Sequence, residues 1–175
     1  MKIARLVALL IILAALAGGF YWLVKNKSVA VPSNWLTFTD EAGVYTYRYP
    51  ANLGTTYITP QEWPPQINLL EASPLDCVPA EHPTAHGGQT EDKIVNGHEY
   101  CVTTQVEGAA GSTYTDYAYL TLLKNKLIRV NLTLREPQCL NYDEPKQGEC
   151  QAEQANFNLD KIIDQLVQSL NFKQP

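Results

Sequence analysis

The stretch "KIVNGHEYCVTTQV", residues 93–106, carries the clearest signal of local structure in this chain. Asn96-Gly97 lies between two runs typical of strands and suits a two-residue type I′ turn, which needs positive φ at both central positions. The turn would pair Val95 with His98. Because side chains alternate along a strand, the residues after the turn divide between two faces. One face carries His98, Tyr100, Val102 and Val106, and the other carries Glu99, Cys101, Thr103 and Gln105.

Two further runs predict the next hairpin of the same sheet. The segments "TYTDYAYLTLL" (113–123) and "LIRVNLTLR" (127–135) flank Lys124-Asn125-Lys126, which we expect to form the turn. The predicted apolar face carries Ala118, Leu120, Leu122, Ile128, Val130, Leu132 and Leu134. The predicted opposite face carries Tyr117, Tyr119, Thr121, Arg129, Asn131 and Thr133. Such a meander buries one face and leaves the other in water.

A helix near the C-terminus is predicted to cover the apolar face. In "NLDKIIDQLVQSLNF" (158–172) apolar residues recur at helical spacing, with Asn158 as the cap and Asp160 near the positive end. The stripe consists of Ile162, Ile163, Leu166, Val167 and Leu170. Two earlier strands are predicted at 43–50 and 67–72. The predicted fold class is therefore α+β: an antiparallel β-sheet meander with a C-terminal amphipathic helix packed on one face, preceded by one transmembrane helix.

Residues 1–27 are the segment predicted to form that transmembrane helix. Leu6 to Val24 is a run of 19 residues without a charge, and as a helix it would span about 28 Å, close to the hydrocarbon thickness of a bilayer. A cleaved signal peptide is the alternative, since Ala15-Leu16-Ala17 has the small-x-small pattern of a cleavage site; the protein would then be secreted. We expect retention because the apolar run continues beyond that point. The predicted organisation is an anchor at 1–27, a linker at 28–34 and an extracytoplasmic domain at 35–175.

Charge and cysteine usage limit the environment and the partners of the domain. Residues 28–175 hold all 18 acidic residues and 9 of the 13 Lys and Arg, so their net charge is 9 − 18 = −9. A domain this acidic does not hold nucleic acid by bulk electrostatics, and no nucleic-acid partner is predicted. All four cysteines follow the apolar segment, an even count that is typical of an oxidising compartment. These features predict a single-pass protein of the cell membrane with its domain outside the cytoplasm.

A cluster of cysteine and histidine raises the choice between a metal site and disulfides. "CVPAEHPTAH" (77–86) and "HEYC" (98–101) together supply Cys77, His82, His86, His98 and Cys101. His98 and Cys101 would point to opposite faces of a strand, and no tight Cys-x₂-Cys pair is present. We therefore predict the disulfides Cys77–Cys101 and Cys139–Cys150, although four cysteines allow three connectivities. His82 and His86 are the remaining metal candidates, and His98 is predicted to be a packed histidine.

Two segments of the domain resemble those of a known family. "GVYTYRYPANL" (43–53), followed by Trp63, resembles the opening of PsbP-like domains and related small exported proteins, although Leu53 stands where that opening often has Trp. "DKIIDQLVQSLNF" (160–172) is similar to their closing helix and strand. The resemblance covers residues 36–172 and implies an accessory or binding module attached to a larger assembly. It carries over no ligand-binding motif.

The chain contains no sequence motif of a common enzyme class. We find no G-x-S-x-G, H-E-x-x-H, P-loop or dinucleotide fingerprint, and no catalytic residue or cofactor is predicted. Tyr117, Tyr119 and Arg129 are the candidates for an interaction face, since Tyr and Arg favour interfaces; the alternative is an ordinary solvated sheet face. We expect a non-enzymatic binding or accessory module with a protein or other envelope partner. The alternative is a metal-dependent or hydrolytic enzyme that uses His82, His86 and His98.

Overall fold

Antiparallel strands are the main element of secondary structure in the folded chain. The computed structural model describes residues 30–71, 74, 75, 77 and 88–173, and its helices and strands belong to one unit, Val31–Pro175. Within the described residues the strands are β1 Leu36–Thr39, β2 Tyr45–Tyr49, β3 Thr59–Pro60, β4 Gln66–Leu70, β5 Gln89–Val95, β6 His98–Ala109, β7 Ser112–Leu123, β8 Lys126–Pro137 and β9 Asn171–Phe172. A three-stranded sheet has the order β1-β2-β9. In a six-stranded sheet β5, β6, β7 and β8 lie side by side, and β3 and β4 both pair with the far edge of β8.

Two tight turns set the register of the six-stranded sheet. Asn96 and Gly97 have φ values of 51° and 89°, and Lys124 and Asn125 have φ values of 50° and 61°. Positive φ at both central positions is the mark of a type I′ turn, whose twist matches that of the flanking strands. The first turn is the predicted one, and it pairs β5 with β6 as expected. The second turn is one residue shorter than predicted, because Lys126 already belongs to β8.

That shorter turn reverses the predicted faces of β7. Tyr117 pairs with Leu132 and Tyr119 pairs with Val130, so both tyrosines lie on the face that enters the core, which we call the core face. The opposite face, the outer face, carries Ala118, Leu120, Leu122, Arg129, Asn131 and Thr133. A register shift of one residue moves every side chain of a strand to the other face. The predicted phase of β7 is therefore wrong, and the predicted phase of β8 is right.

Two α-helices follow the strands of the large sheet. They are α1, Lys146–Asn156, and α2, Leu159–Gln168, and a short 3₁₀ turn at Cys139–Asn141 precedes them. Helix α2 begins at the predicted cap, where Asn158 Oδ1 accepts a hydrogen bond of 2.9 Å from the backbone N–H of Lys161. Its apolar side packs into a core shared with both sheets. The fully buried side chains of that core include Tyr47, Ile58, Tyr100, Val102, Tyr119, Ile128, Val130, Leu134, Ile163, Leu166, Val167 and Leu170.

The predicted fold class needs correction. The described residues are mainly antiparallel β-structure in two sheets, with two α-helices instead of one. The small sheet was missed because β2 and β9 pair across more than 120 positions of sequence, and no turn signal marks such a contact. Helix α1 was missed because it has only one buried residue, Cys150, and so lacks an apolar stripe. No helix in the described residues is long and apolar enough to cross a membrane, and the predicted span at 1–27 lies outside them.

Two disulfides cross-link the domain. Cys77 is bonded to Cys101, with the two α carbons 5.3 Å apart, and Cys139 is bonded to Cys150, with α carbons 5.6 Å apart. Both pairings are the predicted ones. The first bond lies on the outer face of β6, and the second ties the 3₁₀ turn to α1. Disulfides of this kind fit a protein that folds outside the cytoplasm.

One carboxylate of α1 holds the segment that leads into β3. Glu153 accepts three backbone hydrogen bonds, from Thr56 at 2.7 Å, Tyr57 at 2.7 Å and Ile58 at 2.8 Å. Partial burial of Glu153 favours its neutral form, but these three N–H donors outweigh that effect and lower the pKa of the carboxyl group. The ionised carboxylate therefore stabilises the contact between α1 and the start of β3.

We expect Glu153→Gln to destabilise the full-length chain at neutral pH but not in acid. A group whose pKa is lowered by folding stabilises the fold above its unfolded pKa, and that stabilisation is lost as the pH falls through the folded pKa. The free energy of unfolding should be measured by urea titration from pH 7 to pH 3. Glu107→Gln, at an exposed position of β6, is the matched control. If Glu153→Gln lowers the free energy of unfolding by the same amount from pH 7 to pH 3, the ionised carboxylate of Glu153 is not the source of the stabilisation.

Candidate functional site

A polar hollow lies on the outer face of the six-stranded sheet. It has a volume of about 400 Å³ and opens to solvent. The side chains around it are mostly amides, hydroxyls and charged groups, which distinguishes it from the apolar core face. We call it the outer groove, and its lining includes Gln61, Glu62, Gln66, Thr103, Gln105, Asp116, Ala118, Arg129, Asn131 and Thr133.

A small residue at the centre of the sheet creates the hollow. Ala118 on β7 pairs with Thr103 on β6 and with Asn131 on β8. Asn131 pairs in turn with Gln66 on β4. All three neighbours have longer side chains that project from the same face. The methyl group of Ala118 therefore forms the floor between higher walls.

The segment between β3 and β4 forms one wall of the groove. The backbone N–H of Gln61 donates to the carbonyl oxygen of Thr133 at 2.9 Å, which holds the segment against β8. Gln66 Nε2 donates to Glu62 Oε2 at 2.8 Å. These two bonds hold the wall against β8, and β8 is itself held by the sheet. The groove is therefore largely formed before any ligand binds.

The charged side chains of the groove do not pair with one another. Arg129 is exposed, and its Nε donates to Asn131 Oδ1 at 3.0 Å. Asp116 instead accepts a hydrogen bond from the Thr133 hydroxyl. Throughout the part of the chain that the structure describes, Arg129 forms no ion pair. The guanidinium group is thus oriented by a neutral amide and retains donors for a further partner.

The three predicted interaction residues do not share one surface. Tyr119 is only 1% exposed, and its hydroxyl donates to Asp160 Oδ1 at 2.5 Å beneath α2. The Tyr117 ring stacks on the Tyr119 ring with the centroids 6.2 Å apart. Both side chains belong to the core face, and Arg129 alone belongs to the outer face. The predicted face is therefore wrong for Tyr119, because the phase of β7 was wrong, whereas Tyr117 is half-buried and also contributes to the lining of the outer groove.

A buried carboxylate joins α2 to the hairpin of β5 and β6. The side chain of Asp164 is 0% exposed. Asn96 Nδ2 donates to its Oδ2 at 2.8 Å, the Tyr100 hydroxyl donates to its Oδ1 at 2.7 Å, and His98 Nδ1 lies 2.8 Å from the same oxygen. One helical turn earlier, Lys93 and Tyr119 bind Asp160. Each carboxylate thus holds a different part of the sheet.

The two tyrosines beneath α2 are held in their neutral form. Burial raises the pKa of Tyr100 and of Tyr119 far above the ordinary value, and the hydrogen bonds to Asp164 and Asp160 add to that effect. Each hydroxyl can therefore act as a hydrogen-bond donor throughout the physiological pH range. This protonation state is the one that the buried carboxylates require.

The histidines do not form a site among the described residues. His82 and His86 lie outside the described part of the chain. His98 binds Asp164 and borders a second cavity, of about 320 Å³. The hydroxyl of Thr121, which also borders that cavity, donates to the carbonyl oxygen of Glu99 at 2.7 Å. Within the described residues no group of three or more His, Cys, Asp or Glu side chains is placed to hold a metal ion.

Comparison with known proteins gives no further assignment. The chain matches no family model, no curated protein and no solved structure. The resemblance of residues 43–53 and 160–172 to PsbP-like domains therefore stays a prediction.

Sequence reasoning missed both the groove and the role of Asp164. Asp164 carries no distinctive local signal, because Gln165 follows it and most of its helical neighbours, Asp160, Lys161 and Gln168, are polar as well. The groove could not be predicted from β7 alone. Ala118, a small residue among longer side chains, indicates a hollow only when the register of the neighbouring strands is known.

We expect Asp164→Asn to lower the free energy of unfolding by about 2–4 kcal/mol. The amide keeps the size of the side chain, but its NH₂ group would face at least one of three donors and would leave that donor unsatisfied in the core. Urea unfolding of the full-length chain at pH 7 measures the effect. Asp92→Asn, at an exposed position of β5, should change the stability by less than about 0.5 kcal/mol. Equal stability of the two variants would show that Asp164 does not hold α2 to the sheet.

Proposed function

We propose that this protein is an extracytoplasmic binding module that holds a small polar ligand in the outer groove. The observation that carries the proposal is the solvent-open hollow of about 400 Å³ around Ala118, with its polar lining. Ligand sites are concave, largely preformed and furnished with a few convergent polar groups. The outer groove meets these three criteria on one face of the sheet.

The functional groups of the groove favour binding over bond-breaking chemistry. Gln105 and Asn131 offer amide donors and acceptors, Thr103 offers a hydroxyl, and Arg129 offers a charged donor. The two acidic groups already accept hydrogen bonds, Asp116 from Thr133 and Glu62 from Gln66. Such a set recognises a ligand by hydrogen bonds and charge, as expected of a non-enzymatic module.

The disulfides support a location outside the cytoplasm. Two disulfides fit an oxidising compartment, and the acidic charge of the domain disfavours nucleic acid as a ligand. We therefore infer that the ligand belongs to the cell envelope or to the medium outside the cell. The proposal holds equally for an attached and for a released domain.

We expect Ala118→Trp to abolish ligand binding without unfolding the protein. The indole would occupy the floor of the groove, and the position faces solvent, so the core is not overpacked. The measurement is amide chemical-shift mapping of the full-length chain with a panel of galactose, cellobiose, galacturonate, acetate and triglycine. In the unmodified chain at least one probe should shift the amide signals of Thr103, Ala118 and Asn131. In Ala118→Trp no probe should cause shifts around the groove.

A matched control separates filling of the groove from disturbance of β7. Leu122→Trp introduces the same ring on the same strand and the same face, at a position that does not line the groove. It should leave the probe-induced shifts unchanged. The proposed function would be refuted if a probe still binds to Ala118→Trp. It would also be refuted if no member of the panel binds to the unmodified chain.

A further inference from the structure

The electrostatics of the outer groove identify a class of ligand, and this inference rests on the function proposed above. We propose that the outer groove binds an oligosaccharide that carries a uronic acid, with Arg129 holding its carboxylate. The proposal follows from three features of the groove: an unpaired guanidinium group, a set of side chains matched to sugar hydroxyls, and a separation of charge along β8.

The first feature is a cation that the protein itself leaves unneutralised. Lys93 forms ion pairs with Glu91 and Asp160, and Arg48 donates to the carbonyl oxygen of Pro32. Arg129, like Arg48, has no ion pair among the residues that the structure describes, but Arg129 is the cation that lines the outer groove, and it is exposed there in a domain with an excess of carboxylates. A guanidinium group positioned in this way binds a carboxylate through two parallel N–H donors.

The second feature is the chemistry of the remaining lining. Amide and hydroxyl side chains both donate and accept hydrogen bonds, as sugar hydroxyls do. An extended peptide is less well matched, since peptides are held mainly by the free backbone groups of a strand edge. The backbone groups of β6, β7 and β8 beneath the groove are already used within the sheet. Recognition here must come from side chains that project from a sheet face.

The third feature is the separation of charge along the groove. Arg129 lies at one end, and Asp116, paired in register with Thr133, lies at the other. Arg129 and Thr133 are four residues apart on β8, or about 13 Å at the rise of an antiparallel strand. A carboxylate is attracted to the Arg129 end and repelled from Asp116, whereas sugar hydroxyls can donate to Asp116. This distance suits two linked sugar rings better than one, and the charges fix their direction.

The test compares acidic disaccharides with neutral counterparts by isothermal titration calorimetry on the full-length chain. The probes are digalacturonic acid against its dimethyl ester, and glucuronosyl-glucose against cellobiose. At least one acid should bind, and its neutral counterpart should bind about 10-fold more weakly or worse, since a hydrogen-bonded charge pair contributes this much. Binding of the acid should also weaken as salt is raised from 50 to 500 mM.

Variants of β8 assign the effect to one side chain. Arg129→Gln should weaken binding of the acid by about 10-fold or more and weaken binding of the neutral sugar much less, because only the acid loses a charge pair. Arg129→Lys, which keeps the charge but loses the two-donor fork, should lie between the unmodified chain and Arg129→Gln. Arg135→Gln removes the same charge from the same face of β8 outside the groove lining. This control should bind the acid as the unmodified chain does.

The outcomes distinguish this inference from the function on which it rests. Equal affinity for acid and neutral sugar, or equal losses in Arg129→Gln and Arg135→Gln, would overturn the role of Arg129 and leave the outer groove as a binding site. If neither acid binds while another polar probe still shifts Thr103, Ala118 and Asn131, the ligand class is wrong. If no probe shifts those amides, both the ligand class and the proposed function are wrong.

Discussion

The buried carboxylate of Asp164 holds together the two parts of the fold that the chain builds independently. Helix α2 and the β5–β6 hairpin each have strong local signals in the sequence. About the position of the helix on the hairpin, the sequence indicates only that both elements have an apolar side. Asp164 accepts from Asn96 at the turn and from Tyr100 in the strand, and lies 2.8 Å from His98 Nδ1. Hydrophobic packing would tolerate sliding of the helix, whereas a desolvated carboxylate with three partners permits only one position.

Helix α2 is fixed on the core face, and the outer groove lies on the opposite face of the sheet. The core face is closed by α2 and by the small sheet, where the Tyr47 hydroxyl donates to the carbonyl oxygen of Pro65 at 3.0 Å. Ser169 Oγ, just beyond α2, accepts from the backbone N–H of Arg48 at 2.7 Å. These contacts also steady the segment that leads into β4. The wall of the outer groove therefore depends on packing that occurs on the opposite side of the sheet.

The outer groove illustrates how a solvent-facing sheet can acquire specificity. Scattered polar side chains on such a face are ordinary, and by themselves they indicate only solubility. Here a single small residue, Ala118, interrupts them, and the acidic groups of the groove bond to neutral neighbours instead of to Arg129. The result is a concave surface with an available cation at one end and hydrogen-bond acceptors at the other. The recognition that we propose rests on that arrangement and not on any single reactive group.

Local signals in the sequence determined the hairpin at Asn96-Gly97 and the capped helix at Asn158, because turn geometry and caps act over a few residues. The two disulfide pairings were predicted as well, although the sequence allowed three connectivities and Cys77 lies 24 residues from Cys101. The faces of β7 were predictable in principle, but a turn of two residues instead of three at Lys124-Asn125 reversed them. The small sheet, the partners of Asp164 and the outer groove were decided only by the tertiary structure. The β2–β9 pairing and the partners of Asp164 join residues more than 60 positions apart, and the groove needs several strands in register at once. The physical reason is that a side chain's partner on another element depends on how the elements pack, and a single residue's shift in register moves it to the other face.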